Sequence, residues 1–397
     1  MSAWKIRRNT AESTLLMKIA FLGAVPVHPW LTGAPAQKWE HPAPWVMGTV
    51  RPLLTLGAQG RLFTCSRSTS LRQTITSNNL PVEILPRRVP LRLDRLMDYR
   101  GASMQFRPRI RAYAPDVVLA YGTETGYASI GVHSEIPCVI FVQGIVEKLA
   151  PWLDVSPFAC RRMQVAERRA VTKAAALLAE TRFAADWIKS ISPGSPVRVV
   201  PHPLTFDPQP WFGRAKHLNK VVCVASLARY KGVDTVIRAF APLARGNMEL
   251  AIIGSGPELE SLQRLAVELG ATGHIHFRGY LPREAVLEEL ANASVCVLGS
   301  RMDTAPNVIT EAHALGTPVV GTAAGGIPEM IISGTDGFIV PMDQPAVMQD
   351  RLQELLHHPQ KAAAMGEAGR VKVLRINDPA AVARAILEFL TEITAHP

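Results

Sequence analysis

Short apolar runs recur along the chain, separated by longer segments with helical spacing. In the first half the runs fall at 18–25, 60–65, 82–85, 116–121, 137–142 and 197–200. In the second half they fall at 220–226, 249–253, 274–278, 294–298, 318–321 and 337–340. The runs lack the apolar–polar alternation of half-exposed strands, which predicts strands covered on both faces. Helical spacing occupies, among others, 231–245, 257–270, 282–291, 345–357 and 379–394. Strand and helix in regular alternation predict an α/β fold with parallel sheets.

The rhythm breaks once, at Pro201-His202-Pro203-Leu204-Thr205-Phe206-Asp207-Pro208-Gln209-Pro210. Prolines at this density suit neither helix nor strand, and the βαβ rhythm restarts at Lys220. A length of 397 residues also exceeds one ordinary domain. The expected organisation is a loose extension over 1–16, one doubly wound domain over 17–205 and a second over 206–378. A last helix within 379–397 would cross back to the first domain. Open parallel sheets bind ligands at the carboxyl ends of their strands, so two such domains place a site in the cleft between them.

Composition narrows the class. Hydrophobic residues make up 48% and charged residues 19%, a globular balance. The formal charge is +10, and between 87 and 111 eight arginines (Arg87, Arg88, Arg92, Arg95, Arg100, Arg107, Arg109, Arg111) face only Asp94 and Asp98. Such a segment is either a solvated basic helix or a surface for anionic headgroups or a phosphate-bearing acceptor. No nucleic-acid-binding motif accompanies the charge. The five cysteines are scattered, three of them (Cys138, Cys223, Cys296) inside apolar runs, as in buried free thiols of a reducing compartment. No run is long enough to span a bilayer, and residues 1–16 lack the apolar core of a signal peptide. Met17 directly precedes the first strand. The expectation is a cytoplasmic protein, in peripheral contact with an anionic membrane at its inner face.

The chemistry concentrates in Ser300-Arg301-Met302-Asp303-Thr304-Ala305-Pro306-Asn307-Val308-Ile309-Thr310-Glu311-Ala312-His313-Ala314-Leu315-Gly316-Thr317-Pro318-Val319-Val320. Asp303 precedes a helix that Pro306 opens, Glu311 lies on that helix, and Gly316 ends it. Free amides at a helix start favour phosphate, while carboxylates accept hydrogen bonds from hydroxyls. The combination fits a sugar joined to a diphosphate. The same residues equally fit a helix cap at Asp303 and a surface ion pair at Glu311.

Asp303 to Val320 resembles the signature of retaining glycosyltransferase family 4, whose members have the GT-B fold. That pattern is Glu, seven residues, Glu, then a small-Gly-Thr-Pro-Val-Val run; here Asp303 stands for the first Glu. The likeness extends through Gly325-Gly326-Ile327-Pro328-Glu329 and Gly334-Thr335-Asp336-Gly337-Phe338-Ile339-Val340-Pro341. It covers nearly all of 218–345 and is weaker over 17–205.

The resemblance implies a GT-B architecture, two Rossmann-like domains facing each other across a cleft. It implies a nucleoside diphosphate sugar as donor, Glu311 at the ribose and Asp303 at the hexose, with Ala305, Pro306, Asn307 and Val308 at the diphosphate. Lys231 matches the family lysine that offsets leaving-group charge. The family arginine falls on Ser226, leaving Arg229 as its substitute. Gly254 is placed near the phosphate or nucleoside, and Tyr280 and Leu281 near the base. Gly33 and Gln143 would lie on the acceptor or sugar side, Gln143 where many relatives carry His. His28, His202 and His313 read as structural.

No Asp-x-Asp pair occurs, so no metal site and no cofactor are expected. The implied function is a metal-independent retaining transferase acting on a glycan, lipid-linked or small-molecule acceptor, as in bacterial polysaccharide or glycolipid synthesis. A sugar-nucleotide epimerase on the same plan and a non-catalytic binding relative are the alternatives.

Overall fold

A computed structural model describes residues 17–27, 44–66, 69–77 and 79–395. The expected extension over 1–16, His28 and Gly33 lie outside the described residues. The first half builds β1 (Lys18–Leu22), β2 (Gln59–Ser66), β3 (Gln73–Ser77), β4 (Leu80–Pro86), β5 (Val117–Tyr121), β6 (Cys138–Val142), β7 (Ala176–Ala179) and β8 (Val197–Val199). The second builds β9 (His217–Val224), β10 (Glu249–Ile253), β11 (Ile275–Gly279), β12 (Ala293–Leu298), β13 (Val319–Thr322) and β14 (Gly337–Val340).

The strands form two sheets, in the orders β3-β4-β2-β1-β5-β6-β7-β8 and β11-β10-β9-β12-β13-β14. Every strand pairing in the two sheets is parallel except β3 with β4, which is antiparallel. Strands β5, β6 and β12 are buried at every position, because helices cover both faces. Fully burying a side chain such as Phe21, Phe141 or Phe240 contributes roughly 1.5–3 kcal/mol each.

Several boundaries differ from the sequence reading. The run 18–25 is strand only to Leu22. Strand β3 (Gln-Thr-Ile-Thr-Ser) is polar and half-exposed, since it is an edge strand with little to bury. Strand β7 is four small or apolar residues directly after a long helix, too short to stand out as a run. The helix expected over 231–245 spans only Val233–Phe240, preceded by the 3₁₀ turn Arg229–Lys231. Pro242 forces a second 3₁₀ turn at Ala241–Leu243.

The chain passes between the sheets twice. Residues after β8 lead to the second sheet, and helix Pro379–Ala395 returns to the first, where Val382, Ile386, Phe389 and Leu390 join the core against helix Pro44–Thr55. The passages are tied together: Leu204 N donates to Asn377 O at 2.8 Å, and Asn377 Nδ2 donates to His202 O at 2.7 Å. His202 and His313 are buried, which pushes both imidazoles down to about 4 and keeps them neutral. No helix among the described residues is long and apolar enough to cross a membrane.

Candidate active site

The site begins with two glycines pressed together. Gly232 has φ +56°, and a Cβ there would lie 1.9 Å from the carbonyl oxygen of Gly299. A Cβ on Gly299 would lie 2.1 Å from that of Gly232. Only glycine at both positions lets the turn after β9 touch the loop after β12. Through this contact Lys231 Nζ donates to Asp303 Oδ2 at 2.5 Å, with both side chains largely buried. Burial disfavours the charged lysine, but the Asp303 carboxylate, with smaller contributions from Tyr230 and Cys223, outweighs it, and the Lys231 pKa is raised. Ser300 Oγ also reaches Asp303 Oδ2, at 3.4 Å.

A second close approach holds the Asp303 backbone. Gly325, φ +55°, sits where a Cβ would be 1.9 Å from Asp303 O, and Gly326 N donates to that oxygen at 2.9 Å. Helix Asn307–Ala314 then starts one residue later than the sequence suggests: Pro306 is its N-cap, with ψ 118°. Asp303 does not cap it; no side chain does. The amides of Asn307 and Val308 lie in the first turn, free of intrahelical partners, and Ala305 lies just outside.

Glu311 faces a cation. Arg283 Nη2, at the start of helix Arg283–Asn292, lies 3.0 Å from Glu311 Oε1, and Arg283 also donates to Thr205 Oγ1 on the interdomain passage. Burial raises the Glu311 pKa and Arg283 opposes the shift. The ion pair considered from sequence therefore exists, but on a buried carboxylate.

Other candidates are placed differently. Arg229 is exposed, and its carbonyl accepts from Arg301 Nη1 at 2.6 Å. Arg301 itself is committed to Asp234 and Asp343. The Gly254 amide is spent on Gly279 O at 2.8 Å, so it has no hydrogen to give a phosphate. That bond sets Tyr280 and Leu281 beside Gly254, with the Tyr280 side chain 60% exposed rather than packed in a pocket.

The opposite wall comes from the carboxyl ends of β5, β6 and β7. Gln143 follows β6, and its Oε1 accepts from Trp45 Nε1 at 2.6 Å. Glu167 supports this loop from below, accepting from Thr123 Oγ1 (2.6 Å), Val146 N (2.8 Å) and Glu147 N (3.0 Å). Glu124, after β5, and Glu180, after β7, are buried carboxyls. Burial raises Glu124, against hydrogen bonds from neighbouring amides. Burial, then the Glu124 and Asp303 carboxylates, push Glu180 well above the usual range, and Gln143 opposes.

Two contacts bring the walls together: Thr181 Oγ1 donates to Thr304 O at 3.3 Å, and both Glu329 oxygens accept from Arg182 N and Phe183 N at 2.7 Å. Glu329 thereby supplies negative charge to the N-terminus of helix Arg182–Ile191 from the other sheet.

Glu180 makes the protein's stability pH-dependent. A carboxyl raised above its ordinary 4.5 binds more protons folded than unfolded, so stability falls as pH rises through the interval between the two values. Glu180→Gln is expected to flatten the decline in thermal stability as pH rises above the ordinary carboxyl range and to unfold at a higher temperature than wild type at alkaline pH. A parallel pH profile for the two proteins would overturn this.

Glu124, Glu180, Trp45, Arg283 and Glu329 carry no assignment from the sequence reading. The available signal was position: Glu180 directly follows β7 and Glu124 lies three residues after the end of β5, where open sheets bind ligands.

Residues 42–205 match the family model described as "Glycosyl transferase 4-like domain", and residues 210–372 match "Glycosyl transferases group 1". The chain belongs to the GT-B glycosyltransferases of the family 4 type. Among curated relatives it is 38% identical over 159 residues to GDP-mannose-dependent alpha-(1-6)-phosphatidylinositol monomannoside mannosyltransferase of Mycolicibacterium smegmatis; the match covers 38% of this chain and 42% of that protein. It is 34% identical over 149 residues to D-inositol 3-phosphate glycosyltransferase of Streptomyces avermitilis, covering 35% of this chain and 32% of that protein. The matched stretch is thus less than half of each relative's length.

The fold superposes on sucrose-phosphate synthase from Thermosynechococcus elongatus with a TM-score of 0.79 at 19% identity, over 96% of this chain and all of that one. For Anabaena HepE in complex with UDP-glucose the TM-score is 0.71 at 16% identity, over 95% of this chain and all of that one.

Proposed function

We propose that this protein transfers a sugar from a nucleoside diphosphate sugar to a glycan or lipid-linked acceptor, with retention of anomeric configuration. The reading rests above all on Lys231 and Asp303, 2.5 Å apart and beside the first amides of helix Asn307–Ala314. The donor diphosphate is bound by Lys231 and the amides of Ala305, Asn307 and Val308, which stabilise negative charge as the sugar–oxygen bond breaks. Asp303 orients Lys231 and receives a hexose hydroxyl. Glu311 accepts from the ribose, through the oxygen that Arg283 does not hold. The acceptor hydroxyl enters from the Gln143 side and forms its bond to the anomeric carbon on the face the diphosphate leaves. Its proton passes to the departing phosphate oxygen. Charge on the leaving group is balanced without a metal.

The named mycobacterial relative makes GDP-mannose the first donor to try, and the phosphoinositide and inositol phosphate named for the relatives suit a phosphate-bearing acceptor. The protein acts in the cytoplasm, in peripheral contact with an anionic membrane through the arginines of 87–111. A thermal-shift panel of GDP-, UDP-, ADP- and TDP-sugars tests the donor reading. One of them is expected to raise the unfolding temperature, with EDTA making no difference; stabilisation by none, in folded protein, would overturn it. Donor incubated alone is expected to give no epimer.

A further inference from the structure

Outside the cleft, three arginines line one cavity. It measures about 270 Å³ and is walled by Met97, Asp98, Arg100, Arg162 and Arg169. The residues come from two places: the turn joining helices Leu91–Leu96 and Arg100–Tyr113, and the face of helix Pro157–Lys173. Asp98 and Tyr99 both take left-handed backbone, φ +56° and +57°, which turns the chain sharply enough to set Arg100 over the cavity.

The charges do not cancel. Asp98 is the only carboxylate in the wall, and it is already engaged by Arg169 Nη1 at 2.8 Å and Ser129 Oγ at 3.0 Å. Arg162 donates to the carbonyl of Leu96, a neutral acceptor. Arg100 is exposed, and its guanidinium has neither a hydrogen bond nor an ion pair among the described residues. Three guanidiniums against one carboxylate leave two positive charges uncompensated. The charged neighbours do not repair this. His133 carries no negative charge in either protonation state; burial lowers its pKa, Asp98 opposes the shift, and Lys173, Arg100 and Arg169 add to it. Glu135 is taken by Arg107 and Arg111, and Glu147 by Arg168. The backbone is not the binding element, because Arg100 N, Gly101 N and Ser103 N are bonded to Met97 O, Asp94 Oδ1 and Tyr99 O.

We propose that this cavity is a binding site for the phosphate group of a phosphate ester. A doubly charged phosphate matches the excess, and guanidinium forks suit its oxygens geometrically. The surroundings say what the phosphate is attached to. Met97 in the wall is 44% exposed, and Phe158, one turn before Arg162 on the same helix face, is 66% exposed. An apolar rim beside a cationic pocket fits the headgroup of an anionic phospholipid, with its glycerol and acyl carbons over Met97 and Phe158. A soluble phosphate ester shares the same phosphate chemistry.

The site is separate from the donor residues, so its test is independent of the transferase reading. Full-length protein is titrated with sn-glycerol 3-phosphate by calorimetry and floated with vesicles of phosphatidylglycerol and phosphatidylcholine or of phosphatidylcholine alone. Wild type is expected to float only with the anionic vesicles. Arg100→Glu and Arg162→Ala are each expected to weaken that binding about tenfold or more, the loss of a hydrogen bond to a charged group. Arg264→Glu, an equal charge change at an exposed arginine of the second half, serves as control and is expected to have little effect. Saturable binding of glycerol phosphate without flotation would assign the site to a soluble ester. Equal losses in Arg264→Glu and Arg100→Glu would overturn it in favour of diffuse charge, as would binding of neither probe by wild type. Nucleotide-sugar binding should be unchanged in Arg100→Glu, so either failure leaves the donor site untouched.

Discussion

Lys231→Ala is expected to lower kcat by about 10²–10³-fold, the range seen when one preorganised group stabilising transition-state charge is removed. In the proposed reaction, negative charge grows on the diphosphate as the sugar–oxygen bond breaks. Lys231 is the cation best placed to meet it, held at 2.5 Å from Asp303 and kept charged despite burial. Arg301 is saturated by Asp234 and Asp343, so it does not substitute for it. The same substitution strips Asp303 of its counter-ion in a largely buried position, which destabilises the fold by itself. The double variant Lys231→Ala, Asp303→Asn separates the two effects. Its thermal stability is expected to recover relative to Lys231→Ala, because no uncompensated charge remains, while turnover stays low. Turnover that recovered together with stability would show that Lys231 serves the fold and not the reaction.

Glu311→Ala is expected to act on binding: KM for the donor rises about 10- to 100-fold with kcat changed far less, as for a charged hydrogen bond made equally in ground and transition states. Glu311 lies on the second turn of helix Asn307–Ala314, away from the bond that breaks, and its carboxylate is held by Arg283. Glu311→Gln keeps one acceptor oxygen and should lose less than Glu311→Ala. Direct titration with the nucleotide sugar, alongside steady-state kinetics, distinguishes the cases. An unchanged donor affinity in Glu311→Ala would place the ribose elsewhere, and a fall in kcat equal to that of Lys231→Ala would assign Glu311 to the chemistry.

The two halves of the site differed in legibility. The proposed donor half occupies one continuous stretch, in which Asp303, Pro306 and Glu311 belong to one loop and helix. Its spacing fits a phosphate-and-hydroxyl receptor as well as a helix cap with an ion pair, and the family resemblance favours the first. Lys231, after β9 and before Gly232, was legible through its match to the family pattern, since a Lys-Gly pair at that position is a weak signal by itself. The proposed acceptor half has no such stretch. Glu124, Gln143 and Glu180 come from the ends of three different strands, and Trp45 from a helix nearly a hundred residues away from the Gln143 it contacts. Strand β7, which carries Glu180 to the cleft, is four residues long, too short for its apolar run to mark a strand end at Glu180. Gly254, placed near the phosphate or nucleoside by the family resemblance, gives its amide to Gly279 O, a contact that no local pattern indicates.

What the sequence determined by itself is the alternation of strand and helix, the break at Pro201–Pro210 and the spacing of the two acidic residues around one helix start. These follow from side-chain period and from the φ/ψ preferences of glycine and proline, both local properties. Only the tertiary structure decided that Lys231 meets Asp303 across 72 residues, that Arg283 holds Glu311, and that Glu180 faces Asp303 from the other sheet. Those contacts depend on strand register, on the close approach of Gly232 to Gly299, and on the closure that Glu329 completes. Burial then sets their electrostatics: a carboxylate is an ordinary anion in water and becomes a high-pKa acid or a lysine's fixed partner only when a second element excludes the solvent around it.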